Sequence, residues 1–349
     1  MTFADRLVAD WYAPRLTPLT AALTPLALVF RGAATIRRGL FEHGILRRDR
    51  VRAPVVVVGN IAVGGTGKTP LVIALARALA MRGWHPGLIS RGHGGDGASV
   101  RAVSPDANPD DVGDEALLLA RSGFPLWIGV NRPAAARALL AVHEDCDVLI
   151  CDDGLQHYAL AREVEIAVID ASRGVGNGRA LPAGPLREPE SRLAEVDAVV
   201  IQGPAASARG VHQFVMRLVG DRFVRLGAPD VFEGPAAFRR PGVHAVAGIG
   251  NPQRFFDDLR AMGIEATCHA FPDHHRYSAR DVAFAGASAV LMTEKDAVKC
   301  ERFADPRFWS RPVEATIEPA LVARVEEKLR GSQTARAAGV PGDQGAAGA

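Results

Sequence analysis

An apolar run, Val55 to Val58, opens into Gly59-Asn60-Ile61-Ala62-Val63-Gly64-Gly65-Thr66-Gly67-Lys68-Thr69-Pro70, an order of residue types suited to holding a phosphate. Backbone N–H groups converge on phosphate oxygens only where no Cβ intervenes, which Gly64, Gly65 and Gly67 provide, and a following helix adds its positive N-terminal end. Gly64 to Pro70, with Thr66 between the glycines, is the candidate nucleotide-binding segment. Lys68 would reach the β- and γ-phosphates as a point charge, and the Thr69 hydroxyl would ligate Mg2+. The general P-loop spacing asks for a glycine at position 62, where this chain has Ala62; the Gly64-Gly65 pair can supply turn freedom instead.

A second group lies where Val148-Leu149-Ile150-Cys151 leads into Asp152-Asp153-Gly154-Leu155-Gln156-His157. A strand ending in carboxylates, in a chain with such a loop, resembles the Walker B element that holds Mg2+ against the β- and γ-phosphates. Asp152 and Asp153 are therefore candidate metal ligands. Adjacent acids need not act alike, since one can ligate the metal while its neighbour orients water, substrate or Lys68. Gln156 and His157 are candidates for organising substrate or metal. The stretch Arg173 to Arg187 is punctuated by glycine and proline and reads as a loop or lid. In it, Asn177 offers amide hydrogen bonds to a bound ligand and Arg187 can grip an anion bidentately.

The elements that must position these groups are legible as short apolar runs. Val55 to Val58, Pro86 to Ser90, Leu126 to Val130, Val148 to Cys151, Ile166 to Ile169 and Ala198 to Ile201 read as buried parallel strands. Helical patterns at Leu71 to Arg82, Gly113 to Ser122, Arg132 to Glu144 and Arg192 to Val196 fall between several of them. This is the βαβ rhythm of an α/β fold, a P-loop NTPase-like parallel sheet flanked by helices, whose ligands sit at the carboxyl ends of the strands.

Beyond residue 204 the rhythm changes. Gln213 to Val219 and Arg222 to Arg225 around Gly220-Asp221 read as a β-hairpin. Val243 to Ile249 and the helix Gln253 to Met262 then begin a smaller second α/β unit. The expected organisation is an N-terminal amphipathic helix over 1–40, a P-loop domain over 50–212, a hairpin linker over 213–228, the second unit over 240–328 and a disordered Gly/Ala-rich tail over 331–349. Glu294 and Lys295 follow the strand Ala289 to Met292, as a nucleotide-site contact or as a surface ion pair.

The chain has 349 residues, 48% of them hydrophobic and 23% charged, with a net charge of +2. That balance gives no argument for nucleic acid as a partner. Cys146, Cys151, Cys268 and Cys300 form no C-x-x-C pair, so neither a zinc site nor a disulfide framework is expected. Leu16 to Phe30 carries no charge, with Trp11 and Tyr12 before it and Arg31, Arg37, Arg38, Arg47, Arg48, Arg50 and Arg52 after it. Aromatic residues at one edge and arginines beyond the other suit an interfacial membrane helix. Prolines at 14, 18 and 25 interrupt the run, which falls short of the roughly 20 residues a spanning helix needs. A helix packed on the core is the alternative reading. A cleaved signal peptide is disfavoured, because the basic residues follow the apolar run.

The loop, taken with Ser90-Arg91-Gly92-His93-Gly94-Gly95, Gly113-Asp114-Glu115, Asp152 to His157, Asn177-Gly178 through Leu181-Pro182-Ala183-Gly184-Pro185-Leu186-Arg187-Glu188, Phe271-Pro272-Asp273-His274-His275 and Met292-Thr293-Glu294-Lys295-Asp296-Ala297, resembles the tetraacyldisaccharide 4'-kinase family of lipid A biosynthesis. The resemblance runs over roughly residues 10 to 325, and the family's own loop departs from the general P-loop spacing, as Ala62 does here.

The resemblance implies ATP and Mg2+ as cofactors. It implies transfer of the γ-phosphoryl group to the 4'-hydroxyl of a tetraacylated glucosamine disaccharide 1-phosphate, giving lipid IVA. Its acceptor is a membrane lipid, so the implied location is the cytoplasmic face of the inner membrane of a Gram-negative bacterium, peripheral or monotopic. Asp114 matches the family's catalytic aspartate and His274 the histidine paired with it; which of the two takes the proton stays open. Ser90 and Arg91 are expected near the phosphates or the lipid headgroup. With Asp114 and His274 on separate units, the active site is expected in the cleft between them. Two rival classes are a regulatory GTPase, against which Ala198 to Ile201 leads into Gln202-Gly203-Pro204 and not a guanine-reading Asn-Lys-x-Asp, and a soluble P-loop kinase or ATPase acting on a water-soluble sugar or protein, which would not need the arginine-flanked apolar N-terminus.

Overall fold

The computed structural model describes residues 3–13, 15–95, 99–204, 212–303 and 305–337. Three helices open the chain: α1 (Phe3–Trp11), α2 (Pro18–Ala22) and α3 (Thr24–Glu42). Strands β1 (Val55–Gly59), β2 (Pro86–Ser90), β3 (Arg101–Ala102), β4 (Leu126–Ile128), β5 (Val148–Asp152), β6 (Val164–Asp170), β7 (Ala198–Gln202) and β8 (Gln213–Val219) follow. Between them run α4 (Lys68–Ala80), α5 (Pro109–Val112), α6 (Asp114–Ala120) and α7 (Arg132–Val142). A second group comprises β9 (Phe223–Arg225), β10 (Ala228–Glu233), β11 (Val243–Ala247), α8 (Pro252–Ala261), β12 (Thr267–Ala270), β13 (Ala289–Thr293), α9 (Glu294–Cys300) and β14 (Phe308–Arg311). The described chain ends with β15 (Glu314–Ile317) and α10 (Pro319–Ala337).

Among the described residues the strands form two sheets, ordered β15-β8-β7-β6-β1-β5-β2-β4-β3 and β10-β9-β14-β13-β11-β12. β1 lies at the centre of the larger one, parallel to β5 on one side and β6 on the other. Its side chains alternate between two cores: Val56 and Val58 face Leu71, Leu75 and Leu117, while Val55 and Val57 face Ala135, Leu139 and Leu149. With helices on both faces the strands have no wet side, which is why they read as unbroken apolar runs. The smaller sheet packs Phe255, Phe256 and Leu259 of α8 on one face and Ala297 and Cys300 of α9 on the other.

The α/β class and the six strands of the larger, P-loop half stand as expected, with the third ending at Ile128 and the Arg192 to Val196 pattern realised as a 3-10 turn over Glu190–Ala194. The hairpin does not form. β8 pairs in parallel with β7 and antiparallel with β15, whereas β9 pairs with β10 and β14. Gly220-Asp221 is thus a crossing between sheets. A Cβ on Gly220 would stand 2.1 Å from the Pro312 carbonyl oxygen, and Arg311 Nε donates to Gly220 O at 3.0 Å, so the β8–β9 and β14–β15 crossings run side by side. Burial of Phe214 and Met216 against the large sheet outweighs the turn preference of a Gly-Asp pair. The unit expected over 240–328 is also not closed, because β15 and α10 return to the large sheet, where Leu321, Val325 and Leu329 join its core. Residues 331–337, expected to be disordered, continue α10; 338–349 lie outside the described residues.

The N-terminal expectation of one interfacial helix resolves into three. On α3 only Ala27 and Phe41 are buried, while Leu26, Leu28, Val29 and Ile36 are each more than half exposed. Among the described residues no helix is long and apolar enough to cross a membrane.

Candidate active site

The loop after β1 turns into α4 through Gly67 at φ +83°, a conformation that glycine adopts without strain. Lys68 and Thr69 therefore fall in the first turn of α4, both buried, at the carboxyl end of the central strand. β5 ends beside them. Asp153, just past its end, has φ +47°, and this sparsely populated backbone aims its carboxylate at Lys68 Nζ, 3.5 Å away. Arg187 Nη1 lies 3.2 Å from each Asp153 oxygen. Although burial works the other way, Lys68 and Arg187 hold the Asp153 carboxyl well below the usual carboxylate range.

Asp152 is the opposite case. It is 1% exposed, and neither of its carboxylate oxygens has a hydrogen-bond partner. Burial, together with the charge of Glu115, pushes its pKa up to about 7. A buried carboxylate without compensation is costly, and a divalent cation is the group that would relieve it. Magnesium takes one or two carboxylates and completes its shell with phosphate oxygens and water, so Asp152 with the Thr69 hydroxyl fits that ion.

Asp114 begins α6 after Gly113 (φ +90°), and a Cβ at Gly113 would strike the His93 carbonyl oxygen at 2.1 Å, which fixes where the helix starts. Across 160 positions of sequence, Asp114 Oδ1 meets His274 Nδ1 at 3.1 Å. His274 follows β12 and, like Asp153, has positive φ (+58°). Lys299 of α9 lies 3.5 Å from Asp114 Oδ2 and 3.0 Å from Asp296 Oδ1. Lys295 Nζ touches Glu115 Oε1 (3.0 Å), Asp273 Oδ1 (3.3 Å) and His274 Nε2 (3.4 Å). Burial opposes ionisation of Asp114, yet the His274 hydrogen bond and the two lysines hold its carboxyl far below its usual range. His274 is raised: burial lowers it, but Asp114 more than compensates. A cavity of about 150 Å3 is lined by Gly65 to Pro70, Glu115, Ile249, Phe255 and Lys295, and Lys295 connects it to the dyad through His274 Nε2.

The other sequence candidates are divided. Gln156 donates to Asn60 O and Glu188 Oε1 and lies 3.4 Å from Arg187, so it braces the Arg187–Asp153 pair. Asn177 spends both polar ends within its loop, donating to Ala183 O and accepting from Arg179 N. His157 is half-buried, with its pKa lowered to about 4 by burial and by Arg132 and Arg162. Ser90 is buried at the end of β2 and Arg91 is exposed just after it. Sequence reasoning missed Glu115, Lys299, Glu188 and the buried Arg132, whose charge reaches Asp152. Arg132 carried a signal, since it follows a parallel strand at the carboxyl edge where ligands bind.

Asp170, at the end of β6, ties the sheets together. It accepts from Asn251 Nδ2 at 3.2 Å and Arg254 Nη1 at 3.0 Å, and Arg254 also bonds Gln202.

The sequence profile of tetraacyldisaccharide-1-P 4'-kinase matches residues 19–330. A tetraacyldisaccharide 4'-kinase from Dechloromonas aromatica (strain RCB) is 48% identical over 334 residues, 94% of this chain and 98% of that one. One from Azoarcus sp. (strain BH72) is 50% identical over 320 residues, 90% and 93% of the two chains. Among solved structures, the "apo" form of LpxK from Aquifex aeolicus in complex with ATP superposes with a TM-score of 0.73 at 25% identity, covering 89% of this chain and 99% of that one. A profile match over most of the chain and end-to-end relatives near half identity place this chain in the tetraacyldisaccharide-1-P 4'-kinase family.

Proposed function

We propose that this chain transfers the γ-phosphoryl group of ATP to the 4'-hydroxyl of a tetraacylated glucosamine disaccharide 1-phosphate, giving lipid IVA. The Asp114–His274 contact carries this reading, because it sets an activated imidazole beside a phosphate loop whose Lys68 is already fixed by a carboxylate. Gly64 to Gly67 would offer their amides to the triphosphate, and Lys68 would supply positive charge to the transferring group. Thr69 and Asp152 would hold Mg2+, which when bound offsets charge on the β- and γ-phosphates. Asp153 and Arg187 keep Lys68 in place. His274, its Nδ1 proton held by Asp114, has Nε2 left to accept the proton of the sugar hydroxyl.

The acceptor's acyl chains favour the bilayer, and the exposed Leu26, Leu28, Val29 and Ile36 of α3 offer a face that can lie in it. A groove between α3 and residues 178–191, lined by Leu28, Arg31, Leu186 and Arg187, leads from that face toward Asp153. This supports a peripheral enzyme on the cytoplasmic face of the inner membrane, where ATP is available. Labelled ATP and purified disaccharide 1-phosphate acceptor test the activity directly: transfer of label to the lipid is expected, and no transfer by the parent protein would overturn the assignment.

A further inference from the structure

Lys295 stands where the nucleotide cavity meets the dyad. Its ammonium is shared among Glu115, Asp273 and His274 Nε2, while its side chain lines the same cavity as Gly65 to Pro70. His274 has only two ring nitrogens, and Nδ1 is taken by Asp114. The nitrogen left to receive a proton is therefore the one that Lys295 covers, with a positive charge that disfavours protonation there. Lys295 itself is 14% exposed, but the carboxylates that hold it are about one-quarter and one-third exposed, so water reaches the far side of each contact and a stronger anion entering the cavity can compete for the ammonium. A terminal phosphate offers more negative charge at one place than either of them.

Resting on the kinase reading above, we propose that Lys295 is a further catalytic residue: it binds the terminal phosphate of the nucleotide, and its move there uncovers His274 Nε2 for the acceptor hydroxyl. The hydroxyl oxygen then forms the new bond to Pγ as the bond from Pγ to the bridging oxygen breaks. The electron pair of that bond leaves with the nucleoside diphosphate, and the hydroxyl proton passes to His274 Nε2. Lys68 and Lys295 flank the migrating charge from the two sheets. Proton affinity at His274 becomes dependent on an occupied γ-position, so the base is released only when there is a group to transfer.

The test is a titration of His274 by NMR of the full chain with 15N-labelled histidine, its signal assigned by comparison with His274→Gln. The charged and titratable groups facing it are Asp114, His93, Asp273 and Lys295, with Lys299 behind Asp114. A non-hydrolysable ATP analogue with Mg2+ is expected to raise the His274 midpoint, and ADP to leave it. Lys295→Met is expected to raise it without nucleotide, after which the analogue adds little; Lys295→Arg is expected to keep the response to the analogue. Lys295→Met should lower kcat at least tenfold with little change in the acceptor KM. An analogue effect equal in parent and Lys295→Met, or an ADP effect equal to that of the analogue in the parent, would overturn the proposal alone. An analogue that shifts no signal anywhere does not bind, and would take the kinase reading down with it.

Discussion

Gly250 lies against Gly65 so closely that a Cβ added to Gly250 would stand 2.2 Å from the Gly65 amide nitrogen. The phosphate loop of one sheet and the turn after β11 of the other thus touch backbone to backbone. Arg173 reinforces the contact by donating to the Gly250 carbonyl while stacking over Tyr12.

Gly250→Ala has no flexible side chain to push aside, so the loop or the turn must shift. The expected result is ATP binding weakened about tenfold, corresponding to roughly 1.4 kcal/mol, as read by titration calorimetry. An affinity equal to that of the parent would show that the two turns part without cost.

Asp152 and Asp153 should respond in opposite ways to loss of charge. Asp153→Asn strips Lys68 and Arg187 of their counter-ion and should lower stability by about 1–2 kcal/mol. Asp152→Asn removes a buried charge whose oxygens have no hydrogen-bond partner and should leave the melting temperature of the nucleotide-free protein equal or higher. Both should lose activity, Asp152→Asn by roughly 10^2-fold or more through the metal. Thermal melts with and without Mg2+ and nucleotide separate the two, and a destabilised Asp152→Asn would contradict the orphaned-carboxylate geometry.

The pH profile follows from the dyad. In the proposed role of base, His274 has to be unprotonated, so kcat/KM should fall on the acid side through a midpoint above the ordinary histidine value of 6.5, because Asp114 raises it. Asp114→Asn removes the raising charge. The acid limb should then move to lower pH while the plateau drops about 10^2-fold. An unmoved limb would assign it to another group.

The exposed face of α3 gives a prediction independent of catalysis. Leu26→Glu and Val29→Glu replace side chains 58% and 70% exposed, so the melting temperature should hold. Partition onto vesicles should weaken about tenfold per substitution if these side chains enter the apolar layer. Sedimentation with liposomes measures it, and unchanged partition would move the membrane contact elsewhere.

Much of the site was legible because its signals are local. Gly64 to Thr69 must be a tight turn followed by a helix, and strand ends at Val58 and Cys151 must lie at one edge of a parallel sheet, whatever the rest of the chain does. The Gly220-Asp221 turn was misread for the converse reason: whether such a pair closes a hairpin or crosses between sheets depends on which partner each strand finds, and β8 found β7.

Residue type and spacing along this chain determined the glycine-rich turn between a buried strand and a helix, and the pair of acids that ends the neighbouring strand. Tertiary structure alone decided that Asp153 is spent on Lys68 and Arg187 while Asp152 is left bare, that Asn177 serves its own loop, and that Lys295 covers His274. Ionisation and hydrogen bonding are set by what lies within a few ångströms in space, and here those neighbours come from strands and helices 180 positions apart or more.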